Sequence, residues 1–119
     1  MSELKHYEGS CHCGAIAFEA DIALNEVMAC NCSLCSRAGY LLAFIPESQF
    51  KLLRGEDALS DYQFGAKHIH HTFCKTCGVR AFGFGAAPDG STMYAVNARC
   101  LEGVEPKELT VVEHDGRSR

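Results

Sequence analysis

The chain has 119 residues, of which 47% are hydrophobic and 22% are charged, and its formal net charge is −4. This length and composition predict a single soluble globular domain over residues 1–119 and exclude intrinsic disorder. No apolar run approaches the roughly 18 residues of a membrane span, and the N-terminus lacks the apolar stretch of a secretory signal. The acidic balance and the absence of a Lys/Arg cluster disfavour a nucleic-acid partner.

Short runs of alternating hydrophobicity, separated by glycines, predict strands along most of the chain. The first places Ile16, Phe18 and Ala20 on one face, and the later runs cover residues 41–46, 67–73, 79–84, 93–96 and 109–114. Pro46 to Phe50 is typical of a single helical turn after a proline. No long window shows a helical stripe with caps. We therefore expect an all-β domain of about eight to ten short strands.

The eight cysteines are the unusual feature of the composition, and seven of them lie in three local groups. These groups are Cys11-x-Cys13, Cys30-x-Cys32-x-x-Cys35 and Cys74-x-x-Cys77, while Cys100 stands alone. Cysteines one or two residues apart readily direct their sulfurs at one ion, but they seldom bridge to each other without strain. A disulfide framework would also suit a secreted chain with a small core. The spacing therefore favours metal binding.

Two of the groups resemble the corners of a structural zinc site. Each ends in a glycine, Gly14 or Gly78, and each precedes a strand-like run. Together they offer the four sulfurs that close a tetrahedral site, Cys11, Cys13, Cys74 and Cys77. The alternative, a pair of redox motifs, lacks the βαβ context that such motifs need.

The third group offers three sulfurs, from Cys30, Cys32 and Cys35. Three protein ligands and an open fourth position are typical of catalytic zinc. The alternative is a second closed site that Cys100 or a nearby histidine completes. Cys100 itself is either a small buried hydrophobe or a participant at this second site.

Several other polar residues are candidates for substrate or proton contacts. On a strand, His68 and His70 share a face and His71 points away from it, so they indicate either a proton shuttle or a half-exposed strand face. Arg37 and Arg99 are candidates for pairing with a substrate carboxylate, with solvated surface arginines as the alternative.

These motifs resemble one known protein family. Gly9–Gly14, Cys30–Cys35 and Phe73–Gly78, together with Val96–Leu101, are similar to the pattern of the glutathione-dependent formaldehyde-activating enzymes, whose domain also occurs in centromere protein V. The similarity spans roughly residues 7–105.

The resemblance implies a β-tent type of fold, with small antiparallel sheets around zinc. It implies two zinc ions per chain, with a structural ion on Cys11, Cys13, Cys74 and Cys77 and a catalytic ion on Cys30, Cys32 and Cys35. The implied activity is that of a carbon–sulfur lyase that reversibly joins glutathione and formaldehyde into S-hydroxymethylglutathione. For the proton donor, His70 and water are the candidates.

Two other functions stay open from the sequence. One is a non-catalytic, zinc-stabilised β-module that binds a protein partner. The other is a redox or iron–sulfur protein, although a four-thiol cluster would need Cys100 or another group to join the third motif. We expect a small-molecule thiol as partner, and the missing signal together with the free-thiol chemistry predicts a cytoplasmic location.

Overall fold

The computed structural model describes residues 4–24, 26–30, 33–63 and 69–114. Within these residues there are ten strands, one short α-helix and several 3₁₀ turns. The strands are β1 (Lys5–Ser10), β2 (Ala17–Ile22), β3 (Glu26–Cys30), β4 (Leu42–Pro46), β5 (Phe50–Arg54), β6 (Leu59–Tyr62), β7 (Ile69–Cys74), β8 (Phe82–Ala86), β9 (Thr92–Asn97) and β10 (Thr110–His114). The helix α1 spans Ser33–Ala38, and the 3₁₀ turns span Glu47–Gln49, Glu56–Ala58, Ala98–Cys100 and Pro106–Glu108.

The strands form two sheets. The smaller has the order β1-β2-β5, and the larger has the order β10-β3-β4-β9-β8-β7-β6. Neighbouring strands pair antiparallel except β10 and β3, which run parallel with Thr110 opposite Glu26 and His114 opposite Cys30. The expected all-β fold is confirmed, but the larger sheet is mixed and has seven strands, because the last strand returns to lie beside β3.

The core lies between the two sheets and is rich in aromatic rings. Phe18 of β2 stacks on Phe50 of β5 and meets the edge of Phe82 from the larger sheet, with ring centroids 5.3 and 5.7 Å apart. Phe50 also stacks on Tyr94 at 4.1 Å. Such pairs add to the free energy of apolar burial by about 0.5–1.5 kcal/mol each. They hold the sheets face to face.

The predicted alternation explains which faces meet in this core. Ile16, Phe18, Ala20 and Ile22 are all at most 3% exposed, so this face is the buried one, as the sequence predicts. The radius of gyration, 13.5 Å, is about the value of a single domain of this length. In the described part of the chain, no helix has the length and apolarity that a membrane crossing needs.

Most predicted strands are found, with some shifts. The runs at 16–20, 41–46, 93–96 and 109–114 correspond to β2, β4, β9 and β10, and the helical turn after Pro46 is a 3₁₀ turn. In the run at 79–84 the strand begins later than predicted, because β8 starts at Phe82. Of the run at 67–73, the described part corresponds to β7, while its start, including the candidate His68, lies outside the described residues. Strands β1, β3, β5 and β6 were not singled out by the sequence patterns.

Candidate metal centre and adjoining pocket

Two hairpin tips carry the cysteine pairs Cys11/Cys13 and Cys74/Cys77. Cys11 and Cys13 follow β1 and precede β2, and Cys77 follows β7, which ends at Cys74. Each tip needs a residue with positive φ to turn the chain, and a glycine supplies it, Gly14 at 83° in one and Gly78 at 79° in the other. The two tips therefore have similar local chemistry, although they lie far apart in sequence.

The fold brings these tips together and makes a cluster of four sulfurs. The ligand atoms of Cys11, Cys13, Cys74 and Cys77 all lie within 4.8 Å of one another. The Sγ atoms of Cys11 and Cys13 are 3.7 Å apart, and those of Cys13 and Cys74 are 3.6 Å apart. A tetrahedral zinc ion with sulfurs at about 2.3 Å separates them by roughly 3.8 Å, so the cluster fits zinc. A metal can be held here by these four residues.

Backbone amides stabilise negative charge on these sulfurs. Ile16 N–H donates to Cys11 Sγ over 3.4 Å, and Thr76 N–H donates to Cys74 Sγ over 3.4 Å. Backbone N–H groups of Cys13 and Val79 lower the pKa of Cys77 to about 6. Hydrogen bonding to the charged form favours the thiolate, which is the form that binds metal.

Cys13 is the member of the cluster whose surroundings oppose ionisation. The backbone N–H of Ala15 acts to lower the pKa of Cys13, yet desolvation and the neighbouring sulfur of Cys74 raise it to about 11. Closely spaced thiolates repel one another, so deprotonating one opposes deprotonating the next. A divalent ion removes this repulsion, which is the chemical reason why the four sulfurs suit a metal.

Cys100 belongs to the surroundings of this first cluster. It packs against the main core, and its pKa is raised to about 11, chiefly by burial and then by the charges of Cys11 and Cys77. It does not line the pocket at the third cysteine group. This position favours the interpretation of Cys100 as a small packed thiol over a role at the second site.

The third cysteine group lies on the opposite, outer face of the larger sheet. Cys30 ends β3, and Cys35 lies in α1, which covers that face. Cys35, Tyr40 and Leu42 are each at most 9% exposed and form a small cluster with Cys30. Cys32, the predicted third ligand, lies outside the described residues. The structure therefore brings Cys30 and Cys35 to one place, separate from the four-sulfur cluster.

A cavity of about 340 Å³ opens beside Cys30 and Cys35. It lies across the sheet, since every strand from β10 to β7 contributes a lining residue. The lining consists of Met28, Cys30, Cys35, Tyr40, Leu42, Phe44, Ile69, His71, Gly83, Ala95 and His114. Its volume is in the range of small-molecule sites, and its lining is mostly apolar with a few polar groups, which is typical of such sites.

His71 is the histidine of β7 that faces this cavity. Its Nδ1 lies 3.5 Å from the Tyr40 hydroxyl, and burial, assisted by the charge of Arg80, lowers its pKa. His70 points the other way, as strand alternation requires, and its Nδ1 lies 2.6 Å from Asp61. His70, a candidate proton donor from the sequence, is therefore not among the lining residues of the cavity. The neighbouring His71 lines it instead.

His114 and Tyr40 also line the cavity, and the sequence patterns did not point to either. His114 arrives there because β10 pairs in parallel with β3 and sets it opposite Cys30. No local signal could have revealed this pairing, because β3 and β10 lie far apart in the sequence. By contrast, Arg37 and Arg99 are exposed and are not among the lining residues.

A family model and a solved structure are similar to this chain. The family model described as glutathione-dependent formaldehyde-activating enzyme matches residues 6–114. Among solved structures, the crystal structure of a Rhodobacter sphaeroides protein is similar, with a TM-score of 0.75 and 35% sequence identity. That match covers 88% of this chain and 99% of the other.

Proposed function

Because the chain belongs to the family of glutathione-dependent formaldehyde-activating enzymes, we propose that it is a zinc-dependent carbon–sulfur lyase. The reaction would join or cleave a small thiol such as glutathione and an aldehyde such as formaldehyde. The observation that carries this proposal is the cavity at Cys30 and Cys35, which is distinct from the four-sulfur cluster. A protein that used its cysteines only for folding would have no need of a ligand-sized cavity beside Cys30 and Cys35.

We assign two zinc ions per chain in this proposal. Cys11, Cys13, Cys74 and Cys77 would hold a structural ion, since four protein ligands leave no position for a substrate. Cys30, Cys32 and Cys35 would hold the second. Zinc bound there supplies a positive charge that keeps a substrate thiol in its reactive thiolate form.

The residues of the cavity bind the reactants and carry the proton. The reaction forms one bond between the thiol sulfur and the carbonyl carbon, while the thiol proton ends on the carbonyl oxygen. The Tyr40 hydroxyl and His71 Nδ1 provide the path for this proton, because they face the cavity and lie within 3.5 Å of each other. His71 suits the task because its lowered pKa leaves the imidazole neutral at neutral pH, with one nitrogen able to accept.

The test combines metal analysis with exchange spectroscopy. Zinc-loaded protein should contain close to two zinc ions per chain, and it should accelerate magnetisation exchange between free formaldehyde and S-hydroxymethylglutathione in NMR spectra. Cys35→Ser should lose this acceleration and one zinc ion while keeping the native circular dichroism spectrum. Cys100→Ser is the matched control, because Cys100 lies outside the cavity lining, and it should keep both zinc ions and the activity.

The same measurements separate the alternatives. Protein with two zinc ions but no acceleration for any thiol and aldehyde would contradict the lyase proposal and favour a non-catalytic β-module. Iron in place of zinc, with visible absorption, would favour a redox function. Loss of the fold in Cys35→Ser would make the second site structural.

A further inference from the structure

The floor of the cavity is built from small residues set beside a large one. Strand register places Phe44 of β4, Ala95 of β9 and Gly83 of β8 in one row across the larger sheet. Gly83 has no room for a side chain, since a Cβ there would lie 2.8 Å from the carbonyl oxygen of His70. The backbone of β7 therefore lies close against Gly83, and the cavity is lined here by Gly83, the short side chain of Ala95 and the ring of Phe44.

The rim of the cavity exposes large apolar side chains. Phe44 is 49% exposed and Ile69 is 50% exposed, although both line the cavity. A single exposed hydrophobic residue needs no explanation, but two at the mouth of one apolar cavity indicate a surface that a ligand covers. A ligand that covers them removes apolar surface from water, which favours the complex.

Charged partners are missing from this cavity in the part of the chain that the structure describes. Its lining there contains no Lys, Arg, Asp or Glu, and its polar groups are Tyr40, His71, His114 and the two cysteines. A carboxylate placed against this lining would lose its hydration without gaining a Lys or Arg partner among the described lining residues, which is costly. Glutathione carries charged groups at both ends, so its body does not match this lining.

We propose that the cavity takes an uncharged, apolar carbon skeleton next to the carbon–sulfur bond and that glutathione is a poorer substrate than an apolar reactant. This inference rests on the proposed lyase function and specifies its substrate class. The skeleton belongs either to the thiol or to the aldehyde, since the product joins the two at one carbon. The chemistry is the same addition, S–H to C=O, and it needs no further reactant.

The experiment varies one reactant at a time with zinc-loaded protein. In the first series formaldehyde is fixed and the thiols are glutathione, 2-mercaptoethanol and 1-butanethiol. In the second series 2-mercaptoethanol is fixed and the aldehydes are formaldehyde, butanal and benzaldehyde. We expect the apolar member of one series to exceed glutathione with formaldehyde in kcat/KM by roughly tenfold or more. The series in which this happens identifies which reactant supplies the skeleton.

Filling the floor tests the assignment of the cavity itself. Ala95→Leu should lower kcat/KM for the apolar reactant by roughly tenfold or more, with a smaller loss for 2-mercaptoethanol and formaldehyde. The matched control is Ala86→Leu, the same change at an exposed position of β8 outside the lining, which should leave all values unchanged. If Ala95→Leu does not fold, Ile69→Ala replaces it, with Leu53→Ala as a control of similar exposure, 45%.

Binding gives a readout that does not depend on turnover. Saturation-transfer NMR should detect 1-butanol, an unreactive analogue of the apolar thiol, on the unaltered protein and on Ala86→Leu, and the signal should fall in Ala95→Leu. A preference for glutathione in the first series together with a preference for formaldehyde in the second, or equal binding of 1-butanol to both variants, would overturn the substrate class and leave the lyase proposal standing. No turnover with any pair would instead overturn the lyase proposal.

Discussion

The four-sulfur cluster and the site at Cys30 and Cys35 differ in how far apart their members lie in the sequence. The first cluster joins sulfurs from residues that are 61 positions apart, Cys13 and Cys74, and it is packed against the main core. The second draws Cys30 and Cys35 from a short local stretch and faces a cavity on the outer side of the sheet. A long-range cluster restrains the whole chain, whereas a local one can bind and release ligands without unfolding it.

Metals at the two sites are expected to contribute differently to the free energy of unfolding, because they close loops of different length. A link between distant residues removes the entropy of a long loop from the unfolded state, so a metal bound at the first cluster would contribute to folding. A metal on a short segment closes only a small loop and contributes less to folding. The comparison can be tested by changing one region at a time.

The largest expected effect comes from breaking the first cluster. Cys74 is fully buried, so Cys74→Ser leaves an incomplete metal site in the core and should cost on the order of 10 kcal/mol, enough to unfold a domain of ordinary stability. Circular dichroism and zinc analysis measure this. A folded Cys74→Ser protein that retained both zinc ions would remove the distinction between the two regions.

The next effect concerns the second region and its proton path. His71→Gln removes the group that contacts the Tyr40 hydroxyl, and the rate of thiol and aldehyde addition should fall by roughly a hundredfold. Exchange NMR measures the rate, and His70→Gln on the opposite face is the control. Equal losses in the two variants would show that the effect is structural.

A smaller effect is expected from substitutions in the hairpin tips that carry the four-sulfur cluster. Gly14→Ala and Gly78→Ala each force a side chain into a left-handed backbone conformation, at a cost of about 1–2 kcal/mol. Denaturant unfolding measures the change in the free energy of unfolding. Asparagine at either position should cost less, because it tolerates this conformation better, and an equal loss for alanine and asparagine would contradict the argument.

The lowered pKa of His71 also predicts that the free energy of unfolding depends on pH. Its folded pKa is lowered by burial, so below about pH 6.5 the unfolded chain takes up a proton first. The His71 contribution to stability is therefore present above that pH and is lost as the pH falls through the folded pKa. The free energy of unfolding of His71→Gln should fall less on acidification than that of the unaltered protein.

The smallest expected effect is at His6, which lies outside both cysteine sites. Its pH dependence of stability is opposite to that of His71. His6, on the exposed face of the smaller sheet, has a raised pKa, chiefly through its hydrogen bond with Asp21 and also through the charge of Glu19. Its stabilising contribution is therefore complete below about pH 6.5 and is lost as the pH rises through the folded pKa. His6→Gln should lower the free energy of unfolding slightly in acid and not at pH 8. A loss that is equal at both pH values would contradict this assignment.

Local patterns predicted the part of the fold that depends on neighbouring residues. The alternation of Ile16, Phe18 and Ala20 identified a buried face because successive side chains of a strand point to opposite sides. The edge strands β1 and β6 have polar sequences that carry no such alternation. Helix α1, with six residues, is too short to show a helical stripe.

Sequence by itself predicted that the cysteine groups bind metal, because ligand type and spacing within each group are local properties. It also identified the family, which the match over residues 6–114 confirms. Only the tertiary structure decided that Cys100 packs near the first cluster and that His71, Tyr40 and His114 meet at one cavity. These placements depend on strand pairings between distant segments, such as β10 with β3, and pairing register is set by packing of the whole sheet.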